Sequence, residues 1–196
     1  MCIRDRVEAD QVSGGLTVSS PSIEEIRSYW MNYQTSASDT KAFLGLKLIN
    51  PDSTEVFTSA PNTNLNSLNV GSLSQAAQED ALHIANTARF AAGITNQLTI
   101  GNDQAKFAQA ASMINRLNLQ VNHFPSLPAG MKADSAEYAN GTIGAANSNL
   151  ASGFNILDSV VEYLRDDLSE QNQTEVGHRR WVLNPVSYTH LTLPTS

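Results

Sequence analysis

The chain has 196 residues, with 12 basic and 19 acidic side chains, a formal net charge of −7 and one cysteine. That length can bury a real core, but an acidic chain without a basic cluster lacks the positive footprint of a nucleic-acid or anionic-membrane binder. No apolar run approaches a membrane span, and a single cysteine excludes a disulfide framework or a multi-thiolate metal site within the chain.

The two ends read together. Met1 to Asp5 can be encoded as ATG TGT ATA AGA GAC, whose reverse complement translates as Val-Ser-Tyr-Thr-His, the residues at Val186 to His190. The ends thus look like opposite strands of one transposase-end sequencing adaptor, whose adjoining bases would supply Leu191 to Thr195. Residues 1–6 and 186–196 are therefore expected to be adaptor-derived and are set aside from fold reasoning. On that reading Met1 is not a natural start, Cys2 is not part of the natural segment, and the natural protein continues past Pro185. Setting aside Arg4, Asp5 and Arg6 makes the remainder one unit more acidic.

Residues 7–20 carry no sustained period and read as linker. Ser22-Ile23-Glu24-Glu25 has the form of a capping box. Ile23, Ile26, Trp30 and Tyr33 follow at helical spacing, which predicts a short amphipathic helix over 23–33 within an N-terminal extension, 7–60. FLGLKLIN and TEVFT, on either side of Asn50-Pro51-Asp52, predict two extended segments joined by a turn there. After a polar connector, Ser72 or Ser74 is placed to cap a helix ending at Gly93, with Ile84, Ala88 and Ala91 on one stripe and Leu82 and Phe90 flanking it. Asn102 is the expected cap of a second helix, with Phe107, Ala111, Ile114 and Leu117 inward. Residues 122–153, rich in proline and glycine, read as an irregular stretch of the kind that carries function or wraps a core. Leu157, Val160, Val161, Leu164 and Leu168 form the clearest helical stripe, and His178 to Leu183 predict a strand with Trp181 and Leu183 on one face. Helices leading to a late strand indicate an α+β fold. With the chain cut soon afterwards, that strand would lack its neighbour and show an unpaired edge.

Three histidines, two aspartates and one serine are the positions to weigh for chemistry. His83 lies inside a helix with nothing at metal spacing and reads as a packed or surface histidine. His123 in a loop and His178 after Gly177 need no imidazole for packing. Converging with a carboxylate, Asp166 or Asp167, they would make a zinc-type site with an open position for water; otherwise they are two unrelated histidines, one fixing a loop and one capping a strand. Ser148 lacks the Gly-x-Ser-x-Gly setting of a nucleophile and reads as a turn serine. Arg179 and Arg180 read as a solvated or ion-paired edge. Asn140-Gly-Thr and Asn172-Gln-Thr match the glycosylation pattern, which is short.

In order, ALHIANTARFAAGI with NQLTI, the AQAA helix, NHFPSLPAGM, SNLASG, VVEYLRDD and Asn172 before GHRRWVLNP resemble the CAP superfamily, the SCP domain of cysteine-rich secretory, antigen 5 and pathogenesis-related 1 proteins. The likeness is to the secreted bacterial branch and spans residues 61–185. It implies a three-layer α-β-α sandwich, here without its C-terminal strands, and an extracellular or cell-surface location. It also implies a central cleft in which two histidines and two glutamates have been associated with zinc. His123 and His178 match the two histidines, whereas Ser148 and Asp166 stand where the glutamates are expected. Ser148 cannot supply the missing charge, leaving His123, His178 and Asp166 as the metal candidates. The resemblance therefore favours a non-enzymatic module binding an extracellular ligand or surface partner through a cleft of His123, Ser148, Asp166 and His178, with zinc held weakly. The rivals are a zinc-dependent, peptidase-like hydrolase and an adhesive module docking through the helix at 23–33.

Overall fold

The computed structural model describes residues 20–34 and 37–185; both adaptor-like ends and most of the 7–20 linker lie outside the described residues. The described residues combine helices with two small antiparallel sheets, an α+β arrangement. No helix among them is long and apolar enough to cross a membrane.

Helix α1 (Ile23–Met31) begins as its sequence predicts. Ser22 Oγ accepts from the Glu25 amide at 3.2 Å and Glu25 Oε2 accepts from the Ser22 amide at 2.7 Å, satisfying two amides that the first turn leaves without helical partners. Strands β1 (Thr40–Phe43) and β2 (Leu46–Ile49) pair antiparallel in a register running from Thr40 opposite Ile49 to Phe43 opposite Leu46. The turn of this hairpin is Leu44-Gly45, inside the stretch FLGLKLIN expected as one extended segment, and the turn expected at Asn50-Pro51-Asp52 follows β2. Both turn residues have positive φ, 48° and 88°, the condition a two-residue hairpin turn imposes. Asn50 opens a separate turn, in which the Ser53 amide donates to its carbonyl at 3.0 Å. Beyond it, β3 (Phe57–Ser59) pairs with β4 (Ser72–Leu73) rather than with β2, forming a separate sheet.

Helix α2 (Gln75–Ala91) is capped by Ser74, which accepts from the Ala77 amide. Its core face is Ala77, Ala81, Ile84 and Ala85; Ala88 and Ala91, expected on the inward stripe, are half-buried. That face packs on α5 (Ile156–Arg165) through Ile156, Leu157, Val160 and Tyr163, and Leu46, Leu48, Ile49 and Val56 join the same cluster. The core therefore runs across the boundary expected at residue 60. Leu168, the last position of the predicted stripe, is exposed because α5 ends at Asp166, whose backbone is left-handed.

Helix α3 (Asn102–Asn118) has Gly101 as its N-cap, with Asn102 already helical. Ala111 and Ile114 are buried as expected, while Phe107 and Leu117 are half-buried. The stretch 122–153 is not irregular throughout, since it contains α4 (Ala136–Asn147), capped by Ser135. Glycine, usually a breaker, is here the contact between two helices. A Cβ on Gly144 would lie 2.0 Å from the Phe107 carbonyl oxygen, and one on Gly141 would lie 2.4 Å from Ile114 Cγ1. The two backbones approach too closely for any side chain.

The predicted strand at His178–Leu183 is also corrected. After α6 (Glu170–Glu175), Val176 turns left-handed with φ 45°, and Gly177–Val182 forms a helix, α7. Six residues are too few for apolar periodicity to separate strand from helix. A distant contact secures its end. Arg89, only 1% exposed, donates from Nη1 to the carbonyls of Val182 at 2.7 Å and Asn184 at 3.0 Å. A cation held on the last carbonyls of a helix also opposes its dipole.

Candidate functional site

A cleft of about 750 Å³ opens between the end of α4, the loop after it, α6 and α7, with α3 along one side. That volume lies within the range of small-ligand sites. His123, Ser148 and His178 all line it. Asp166, the fourth residue expected there, does not.

Asp166 is 1% exposed and sits behind the cleft wall. Its Oδ1 accepts from His178 Nδ1 at 2.7 Å and its Oδ2 accepts from the Arg179 amide at 3.1 Å. The left-handed backbone at Asp166, φ 51°, turns the chain back from α5 so that this side chain meets the start of α7. Asp is among the few non-glycine residues that favour this region. Arg179 completes the junction by donating from Nε to the Leu164 carbonyl at 2.5 Å and from Nη2 to the Arg165 carbonyl. It caps α5 and is not the solvated edge expected from the sequence.

The hydrogen bonds decide which histidine nitrogens are left to a ligand. A carboxylate only accepts, so His178 Nδ1 carries the hydrogen given to Asp166. The neutral ring then has its lone pair on Nε2, which has no hydrogen-bond partner among the described residues. His123 repeats the arrangement. Its Nδ1 donates to the Ala145 carbonyl at 2.7 Å, again leaving Nε2 without a partner there. Metal-binding and general-base imidazoles are commonly oriented in this way, through one ring nitrogen fixed by a carboxylate or carbonyl.

Ser148 is the C-cap of α4 and its hydroxyl is buried with no hydrogen-bond partner among the described residues. An unpaired buried hydroxyl costs about 1–3 kcal/mol, so a polar group placed beside it gains by completing it. The next residue ties the wall together. Asn149 donates to the His178 carbonyl at 3.1 Å, and its own carbonyl accepts from Tyr163 Oη, also at 3.1 Å. Burial pushes the Tyr163 hydroxyl up from its ordinary value, so it remains a donor.

His83 lies elsewhere, against aromatic rings of α1 and of the segment just after it. Tyr33 stacks on it at 4.1 Å and Trp30 at 4.9 Å, while its Nε2 donates to the Trp30 carbonyl at 3.1 Å. Burial lowers its pKa, with the Trp30 hydrogen bond opposing that shift. Trp30 and Tyr33, which suggested a docking face in the sequence, are engaged inside the molecule.

For a metal, the donor set is short. Among the described residues no group of three His, Cys, Asp or Glu is placed to hold an ion. The carboxylate that could complete the histidine pair is engaged behind one of them. Two imidazoles with solvent in the remaining positions can hold zinc weakly, but they do not make the three-ligand set of a hydrolytic zinc. Sequence reasoning missed the amides of the wall, Gln104, Asn147, Asn149, Gln171 and Asn172, and missed Trp181 as a cleft residue. On a helix Trp181 stands three residues from His178 and shares its face, whereas the strand prediction put the two on opposite faces. Compared with protein-family models, curated proteins and solved structures, the chain finds no match in any of the three.

Proposed function

We propose that the chain is a secreted or cell-surface domain of the CAP type, with the α-β-α sandwich of that superfamily, whose cleft is a non-enzymatic ligand-binding site that holds zinc weakly between His123 and His178. One observation carries this reading. Two histidines far apart in sequence line one cleft, each fixed through Nδ1 and each with an Nε2 that has no partner among the described residues. The class and location rest on the sequence resemblance. The non-enzymatic character is supported by the engagement of Asp166 and by serine at position 148, so neither position where the resemblance expects a glutamate offers a free carboxylate, and Glu175, the cleft's carboxylate, lies on the exposed end of α6. An adhesive role for α1 has less support, because its aromatic face is packed on His83.

Zinc titration of the intact chain against its His123→Ala and His178→Ala variants tests the cleft reading. Each variant is expected to weaken zinc binding at least about tenfold, the effect typical of losing even an outer partner of a metal ligand. Equal affinity in all three proteins contradicts the reading.

A further inference from the structure

We infer that the cleft is built to take a neutral oligosaccharide, a conclusion that rests on the reading of this cleft as a ligand site and names its ligand class. The wall has a composition that suits few other ligands. Among the described residues no lysine or arginine lines it, and Glu175 is the one carboxylate that does. Phosphates, nucleotides and anionic lipids therefore find no counter-charge, and a cationic ligand finds only one exposed partner.

The polar capacity is of another kind. Gln104 has no hydrogen-bond partner among the described residues. Asn147 and Asn149 use their amide nitrogens within the protein and keep their oxygens, while Asn172 uses its oxygen and keeps its nitrogen. Adding the two Nε2 atoms and the Ser148 hydroxyl gives interspersed donors and acceptors without charge. A chain of hydroxyls, each both donor and acceptor, complements that pattern. Beside these groups stands Trp181, a cleft-lining residue that is 64% exposed. A wide apolar face next to amides is what the flat C–H face of a pyranose packs on, and an aromatic can serve as both platform and wall.

A peptide ligand is less well served. Extended peptides are taken by an open strand edge and helical ones by an apolar groove. None of the lining residues belongs to a strand, and amides interrupt the apolar surface.

Calorimetric titration of the intact chain with cello-, manno- and chitin tetrasaccharides tests the inference, with a neutral Gly-Ser tetrapeptide and zinc as parallel arms. At least one tetrasaccharide is expected to bind. Trp181→Ala should weaken it about tenfold, the equivalent of one lost aromatic contact, and Gln104→Ala, on a different helix, about fivefold. Binding by none of the sugars, binding by the peptide alone, or unchanged affinity in both variants overturns the inference. If zinc still binds in a histidine-dependent way, only the ligand class fails; if neither zinc nor sugar binds, the cleft reading fails as well.

Discussion

The chain holds histidine in two settings, and the difference lies in what each ring has left to offer. On α2, His83 stacks with Tyr33 and Trp30 and its Nε2 is given to a backbone carbonyl. At the cleft, His123 and His178 are each held by Nδ1 alone, at the edge of an open volume. The first setting is closed and uses its imidazole for packing. The second fixes the rings without consuming them. Residue type does not separate the two settings; the identity of the engaged nitrogen does.

The largest effect should come from opening the closed setting. Asp80 is fully buried and accepts from the Ile49 amide and from Tyr33 Oη, joining β2 and the segment after α1 to α2. Asp80→Ala should cost about 3 kcal/mol by leaving buried donors without partners, measured by urea unfolding. A loss below about 1 kcal/mol would show that these bonds are not what closes that side.

The open setting depends on how closely α3 and α4 approach. Gly144→Ala drives a Cβ into the Phe107 carbonyl and should cost about 2 kcal/mol or more, shifting the wall that carries Ser148. Gly177→Ala is the matched control, since a Cβ there meets nothing within 4 Å. It should stay within about 0.5 kcal/mol of the parent. Equal effects at the two glycines would contradict the close packing of α3 on α4.

The smallest effect is a pH dependence. Burial holds the pKa of His83 below its ordinary 6.5 in the folded state, so the unfolded chain takes up that proton first as pH falls. The stability tied to the neutral ring is fully present above about 6.5 and is lost progressively below it, until the folded ring also protonates. His83→Phe should therefore reduce the fall in Tm between about pH 7.5 and pH 5.5. An unchanged fall would assign that dependence to other groups.

Local signals were legible in the sequence and close or distant contacts were not. The capping box at Ser22, the cap at Ser74 and the stripe at Leu157 and Val160 rest on residues within one or two helical turns, where spacing carries the information. Helix α4 was hidden because its contact face is glycine and alanine, which leave no apolar period. Helix α7 was hidden because it is short and is secured from Arg89, far away in the chain. At the site, the two histidines stood out by type, but nothing in their separation brought them together. Asp166 was singled out as a ligand, yet its left-handed backbone carries it behind His178.

The most direct measurement of the contrast between the two settings is imidazole nitrogen NMR of the intact chain during a zinc titration. The account predicts that the Nε2 signals of His123 and His178 move together over one zinc concentration range while those of His83 stay fixed. Movement of His83, or of only one cleft histidine, would contradict it.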